Sequence, residues 1–244
     1  MNILNTIKCS EVYKNKMKAL ILAAGRGSRM LPLTEKSPKP LMPVNDKPIL
    51  EWIILSLPKE VDELHIVIGY LGKQIKNYFG ESFAGKKIFY YTQEKAEGTW
   101  PAMKLTERSF AKDEKFLLMY ADDMYDAESI ESMLKLENTL LVSEVIDPSR
   151  YGVLELDQDN VVIKIEEKPL DPKSNIVATG VYVLNASIFE YIYPIDIAGE
   201  QYFTNVYLEY IKNNLVNAVY VKHWVSIATP EDLSKAHKSE LFMI

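Results

Sequence analysis

Cysteine, histidine and runs of basic charge are nearly absent from this 244-residue chain. It has one cysteine and three histidines, and its 28 Lys and Arg are outnumbered by 34 Asp and Glu, a net charge of −6. The lone Cys9 closes no internal disulfide, and with no ligand spacing around it, it reads as an inert thiol. An acidic chain without a basic block is a poor partner for nucleic acid or for an anionic membrane surface. No apolar run approaches the roughly 18 residues of a membrane-spanning helix. The first ten residues also lack the order of a secretory signal, a charged stretch followed by an apolar one. These absences lead to the expectation of a cytoplasmic protein with no membrane and no nucleic-acid partner. The 10 glycines and 12 prolines are too few for a collagen-like or low-complexity chain, and 48% hydrophobic residues are enough for a packed core.

What is present is an alternation of short apolar runs with helical periodicity, starting abruptly at Met17 after a polar stretch. Residues 1–16 read as an extension of unknown role and residues 17–244 as one domain. Lys18 to Ala24, His65 to Ile68, Lys87 to Tyr91 and Lys115 to Tyr120 have the near-continuous apolar character of strands covered on both faces. Between and after them, Ile49 to Leu57, Lys73 to Phe79 and Thr99 to Ser109 carry helical spacing. This order predicts βαβ units and a Rossmann-like, mainly parallel α/β sheet flanked by helices. In the second half, Tyr151 to Leu156, Val161 to Ile165 and Gly180 to Leu184 read as strands extending or capping that sheet. Ser187 to Tyr193, Thr204 to Asn213 and Pro230 to Glu240 read as helices.

Chemistry concentrates in Leu22 to Pro48, LAAGRGSRMLPLTEKSPKPLMPVNDKP. A buried strand running into Gly25-Arg26-Gly27 delivers backbone N–H groups to the carboxyl edge of the sheet, and Arg29 and Lys39 can neutralise a phosphate there. A dinucleotide fingerprint fails, because Met30 stands where the third glycine is required. A solvated basic loop with no ligand is the simpler alternative. Gly80 to Lys86 fits G-x-x-x-x-G-K, but Lys87 replaces the Ser or Thr and the segment lies between a helix and a strand, so it reads as a turn. Asp122 and Asp123 at a strand end could equally cap a helix, and Glu166-Glu167-Lys168 could be a solvated charge run.

L-x-A-G-x-G-S-R with P-L-T, P-K-P-L-x-P-V and K-P, kept in order over Leu22 to Pro48, resembles the signature of the sugar-1-phosphate nucleotidylyltransferases. The resemblance continues through Gln93 and Gly98, Tyr120 to Asp123, Arg150 to Val153, Glu166 to Pro169 and Lys173 to Tyr182. It ends with Gly199 to Thr204 and the closing WVSIATPEDL of Trp224 to Leu233. Among members the chain looks most similar to the short glucose-1-phosphate thymidylyltransferases. The resemblance implies transfer of a nucleotidyl group from an NTP, dTTP or UTP favoured, to a hexose 1-phosphate, with Mg²⁺ as cofactor. Its implied partners are these small molecules, with a homo-oligomer left open. It also leads to the expectation that no separate acyltransferase or β-helix domain follows the closing motif.

By that resemblance Arg29, Lys39, Asp122 and Lys168 are the catalytic residues. Leu22, Ala23, Ala24, Gly25, Gly27, Gln93, Gly98 and Thr99 bind the nucleotide, and Gly152, Glu167, Lys168, Gly180 and Thr204 the sugar phosphate. Asp122 holds the metal. The family's second metal-binding aspartate, in the closing motif, falls on Ser226, and its glycine on Ala228. A hydroxyl is a far weaker Mg²⁺ ligand than a carboxylate, so a weakened regulatory homologue that binds nucleotide or sugar phosphate is the alternative reading. Asn205 also stands where an aspartate is common, and Trp100 and Pro101 replace smaller residues after Gly98.

Overall fold

The computed structural model describes residues 16–193 and 200–239. Fourteen strands appear among them: β1 (Met17–Ala23), β2 (Pro43–Val44), β3 (Lys47–Pro48), β4 (Val61–Ile68), β5 (Ser82–Phe83), β6 (Lys86–Thr92), β7 (Lys115–Tyr120), β8 (Asp123–Tyr125), β9 (Thr139–Glu144), β10 (Gly152–Leu156), β11 (Val162–Glu167), β12 (Ile176–Asn185), β13 (Asn217–Tyr220) and β14 (Trp224–Ser226). The helices are α1 (Ile49–Ser56), α2 (Gly72–Phe79), α3 (Thr99–Lys104), α4 (Ala127–Met133), α5 (Phe203–Ile211) and α6 (Pro230–Ala236). None of the described helices is long and apolar enough to cross a membrane.

The centre of the main sheet is parallel, in the order β7-β1-β4-β6. The second half extends it antiparallel through β12, which pairs with β7, β9 and β10, with β11 beyond β10. Strand β1 shows why the centre is buried on both sides. Ala19, Ile21 and Ala23 enter one apolar cluster with α1, α2, α4 and α6, while Leu20 enters another with α3 and α5. Alternate side chains of a strand point to opposite faces, so a strand with helices on both must be apolar throughout.

Helices form where one stripe can be buried and the ends are satisfied. Helix α1 buries Ile49, Leu50, Ile53 and Ile54. Asp126 caps α4 by accepting from Ser129 N, and Thr229 with Asp232 forms a reciprocal capping box at α6.

Several boundaries differ from expectation. Thr99 to Ser109 breaks after Lys104 and resumes as a 3-10 turn at Glu107–Ser109, and the helix expected at Ser187 to Tyr193 is a 3-10 turn at Ala186–Glu190. In the first case the hydroxyl of Thr106 donates to Met103 O, giving the chain a local alternative to the next helical turn. The last helix, expected over Pro230 to Glu240, ends at Ala236, while Glu240, Gly199 of the quoted motif and Cys9 lie outside the described residues. Strands β8, β9, β13 and β14 and helix α4 were not anticipated.

Candidate active site

Strands β1, β4, β6 and β7 all deliver their carboxyl ends to one edge, the usual place for a ligand crevice in an open α/β sheet. Backbone bonds lock that edge: Ala121 N donates to Leu22 O (3.0 Å) and Gln93 N to Ile68 O (2.8 Å). Two adjoining cavities open there, of about 340 and 230 Å³.

The first is lined by Leu22, Ala23, Ala24, Gly25, Gly27, Arg29, Lys39, Gln93, Gly98 and Thr99, bringing every proposed nucleotide residue together. Gly27 has φ 64°, and a Cβ there would press on Lys39 Cβ at 3.1 Å and Thr34 Cγ2 at 3.2 Å. Glycine at 27 therefore sets how close the loop lies to the Lys39 turn. Lys39, between two prolines, is buried, and its Nζ stands 3.1 Å from Asp122 Oδ2. Gln93 Nε2 donates to Gly98 O at 3.0 Å, which leaves Oε1 as an acceptor. Gly98 has φ 113°, and any Cβ would overlap the backbone of Gln201, with the nitrogen at 2.5 Å.

The second cavity is lined by Gly152, Glu167, Lys168, Gly180 and Thr204, together with Asp123 and Ser226. Glu167 uses both oxygens: Oε2 accepts from Thr204 Oγ1 (2.9 Å) and Oε1 lies 3.1 Å from Lys168 Nζ. Burial works against the charge of Lys168, but Glu167 and then Tyr202 together outweigh it and raise the ammonium above its ordinary value. Gly180, at φ 91°, brings backbone against Tyr120, where a Cβ would meet the ring at 3.1 Å. Arg29, Thr99, Tyr120, Asp122, Tyr202 and Ala228 line both cavities and form the seam between them.

Strand β14 pairs antiparallel with β8, placing Ser226 in register with Asp123. Asp123 is buried and accepts from Trp224 Nε1 and from Ile227 N, both at 3.0 Å. Burial, and then the Asp122 charge, push its carboxyl well above the usual carboxylate range. The hydroxyl of Tyr151 donates to Ser226 Oγ at 3.5 Å. Among the described residues no group of three or more His, Cys, Asp or Glu is arranged to hold a metal. One carboxylate, Asp122, with a hydroxyl at Ser226 nevertheless suits Mg²⁺, which takes one or two carboxylates and completes its shell with substrate phosphates and water.

Sequence reasoning overlooked Asp123 as the anchor of the closing strand, and Tyr120, Tyr202 and Arg150 as cavity residues. All four sit inside the quoted motifs, so adjacency was the available signal. Trp100 lines neither cavity. It is buried in the core, stacked on Phe189 at 6.4 Å, and so does not narrow the site as a bulky neighbour of Gly98.

Comparison with known proteins supplies the relatives. The sequence model of the family described as nucleotidyl transferase matches residues 18–241. The bifunctional protein GlmU of Methanocaldococcus jannaschii is 35% identical over 225 residues, covering 91% of this chain and 54% of the relative. This chain thus spans about half the length of the first curated relatives it matches. A D-glycero-alpha-D-manno-heptose 1-phosphate guanylyltransferase of Campylobacter jejuni is 32% identical, covering 88% and 96%. Among solved structures, a Bacillus anthracis protein described as a glucose-1-phosphate thymidylyltransferase, bound to sucrose, superposes with TM-score 0.81 at 27% identity over 91% of this chain and 94% of its own. A UDP-glucose pyrophosphorylase complexed with UDP-glucose shares the fold, with TM-score 0.80 at 22% identity, covering 91% and 97%.

Proposed function

Because the chain belongs to the nucleotidyl transferase family, we propose that it transfers a nucleotidyl group from an NTP to a sugar 1-phosphate and releases pyrophosphate. The observation that carries this reading is the seam: Arg29 and Asp122 border both cavities, and the buried Lys39 reaches Asp122. On this reading residues 17–244 work as one nucleotidyltransferase domain, with the NTP in the first cavity and the sugar phosphate in the second.

A phosphate oxygen of the sugar attacks the α-phosphorus of the NTP. The new P–O bond forms as the bond to the β-phosphate bridging oxygen breaks, and pyrophosphate leaves from the opposite side. A phosphate monoester has its second pKa at roughly 6, so the nucleophile is already ionised at neutral pH and no general base is needed. The protein's work is positioning and charge neutralisation. The loop of Gly25 and Gly27 admits phosphate against its backbone, Arg29 and Lys39 neutralise the tail and the transferred group, and Lys168 anchors the sugar phosphate. Asp122, with Ser226 lining the same cavity, would hold Mg²⁺, which when bound would supply further positive charge for the phosphates.

For the base, the free acceptor Gln93 Oε1 suits a ring imide N–H. Thymine, uracil and guanine carry one, whereas adenine and cytosine present an acceptor at that position. We favour dTTP or UTP, and a glucose-1-phosphate-like hexose as acceptor. The hydroxyl at Ser226 supports the second reading, a regulatory homologue with weak turnover.

Pyrophosphate release, measured with Mg²⁺ across five NTPs and a panel of sugar 1-phosphates, tests both. Release with one pairing, abolished by chelation, is expected. Silence across the panel while NTP still raises the melting temperature would leave the regulatory reading standing.

A further inference from the structure

Lys168 is pinned at its backbone and contacted at its ammonium by two neighbours. Its φ is 45°, its N–H donates to Tyr151 O at 2.9 Å, and its side chain is half exposed. Glu167, 3.1 Å from the ammonium, holds it on the side of the second cavity, and neither residue lines the first. The ring of Tyr202 lies on the ammonium as well, its centroid 4.4 Å from Nζ, and Tyr202 lines both cavities. An ammonium over an aromatic face is attracted by the ring's negative quadrupole.

The segment carrying Tyr202 is stitched to the loop that carries Gly98. Trp100 N donates to Gln201 O (3.0 Å), Gln201 N to Glu97 O (2.7 Å) and Phe203 N to Thr99 Oγ1 (2.7 Å). These bonds flank Tyr202 on both sides, and the bare Cα of Gly98 allows the approach.

We propose that Tyr202 is a positioning residue for Lys168: its ring draws the ammonium from Glu167 to the seam where the sugar phosphate must meet the NTP, and its backbone ties that seam to the base-binding loop. The inference rests on the nucleotidyl-transfer reading, in which the phosphate bound by Lys168 is the nucleophile. In this proposal the positioning is done by the ring face, 4.4 Å from the ammonium.

The test compares wild type, Tyr202→Leu and Tyr202→Phe in two measurements. The first is the rate at which Lys168 is acylated by an N-hydroxysuccinimide ester, read by mass spectrometry without substrates. Tyr202→Leu should react severalfold faster than the other two, because the ring no longer covers the ammonium. The second is pyrophosphate release. Tyr202→Leu should raise KM for the sugar 1-phosphate about fivefold, as a partly exposed cation–π contact implies, with KM for the NTP within about twofold. Tyr202→Phe should restore both. Equal labelling in all three proteins, or a Tyr202→Phe as impaired as Tyr202→Leu, would overturn the proposal. If wild type releases no pyrophosphate with any pairing, the functional reading fails while the labelling still decides the role of Tyr202. Should Tyr202→Leu not fold by circular dichroism, Tyr202→Met replaces it.

Discussion

Lys39 sits where a cation is costly. Its side chain is 8% exposed and has a single carboxylate, Asp122, within 3.1 Å. Burying a charge is tolerated when it is paired, and this pair faces a cavity rather than the core. Asp122 is 42% exposed, so loss of Lys39 leaves a carboxylate that water can partly solvate, whereas Asn at position 122 keeps an amide oxygen to accept from the buried Lys39 ammonium. Lys39→Ala and Asp122→Asn should therefore keep the fold, seen as unchanged far-ultraviolet circular dichroism. Each should lower kcat/KM for pyrophosphate release by roughly 10²–10³, the usual cost of removing one group that stabilises transferred charge. Near-wild-type rates in either would remove that residue from the site. In the sequence Lys39 is indistinguishable from a surface lysine between prolines. Only the ordered motif around it singles it out.

At the scale of elements, strands differ in how much of their environment they carry. Strands β1 and β7 are apolar at successive positions, which marks them as covered on both faces. Strands β8 and β14 are three residues each and exist because each is the other's partner, and β13 is four residues with no fully buried position. Such segments have too little period to be read locally. Elements also meet through His65 of β4, which stacks on Phe89 (5.2 Å) and bonds to Tyr91 Oη and Glu63 Oε1, both at 2.8 Å. Burial lowers its proton affinity below the ordinary value of 6.5, although Glu63 opposes this. The folded protein thus binds the proton less tightly than the unfolded chain. The stability gained is complete above pH 6.5 and is lost as pH falls through the folded-state value. The melting temperature should drop between pH 6.5 and 5 in wild type and drop less in His65→Gln. Parallel pH profiles would show that His65 is not the cause.

Over the whole molecule, the wall of the first cavity is joined near Gly98 to the segment of Tyr202 that also lines the second. Gly98→Ala would place a methyl against the Gln201 backbone at a φ of 113° that side chains seldom adopt. Strain of this kind costs about 1–3 kcal/mol. The melting temperature should therefore fall by about 4–8 °C, taking about 2 kcal/mol and roughly 2–4 °C per kcal/mol at this size. KM for the NTP should rise together with that for the sugar 1-phosphate, because both pockets share the stitched segment. An unchanged melting temperature would show that the loop relaxes freely. The parallel centre of the sheet and the glycine loop were legible in the chain as local patterns of apolar runs and glycines, whereas Arg29, Lys39, Asp122 and Lys168 were singled out by the resemblance of the ordered motifs around them to the family's. The pairing of Ser226 with Asp123, the placement of Tyr202 over Lys168 and the burial of Trp100 away from the cavities were decided by tertiary structure alone. Their partners lie 103, 34 and 89 residues away along the chain (226 − 123, 202 − 168 and 189 − 100), and contacts over such separations leave no period or spacing for a single sequence to display.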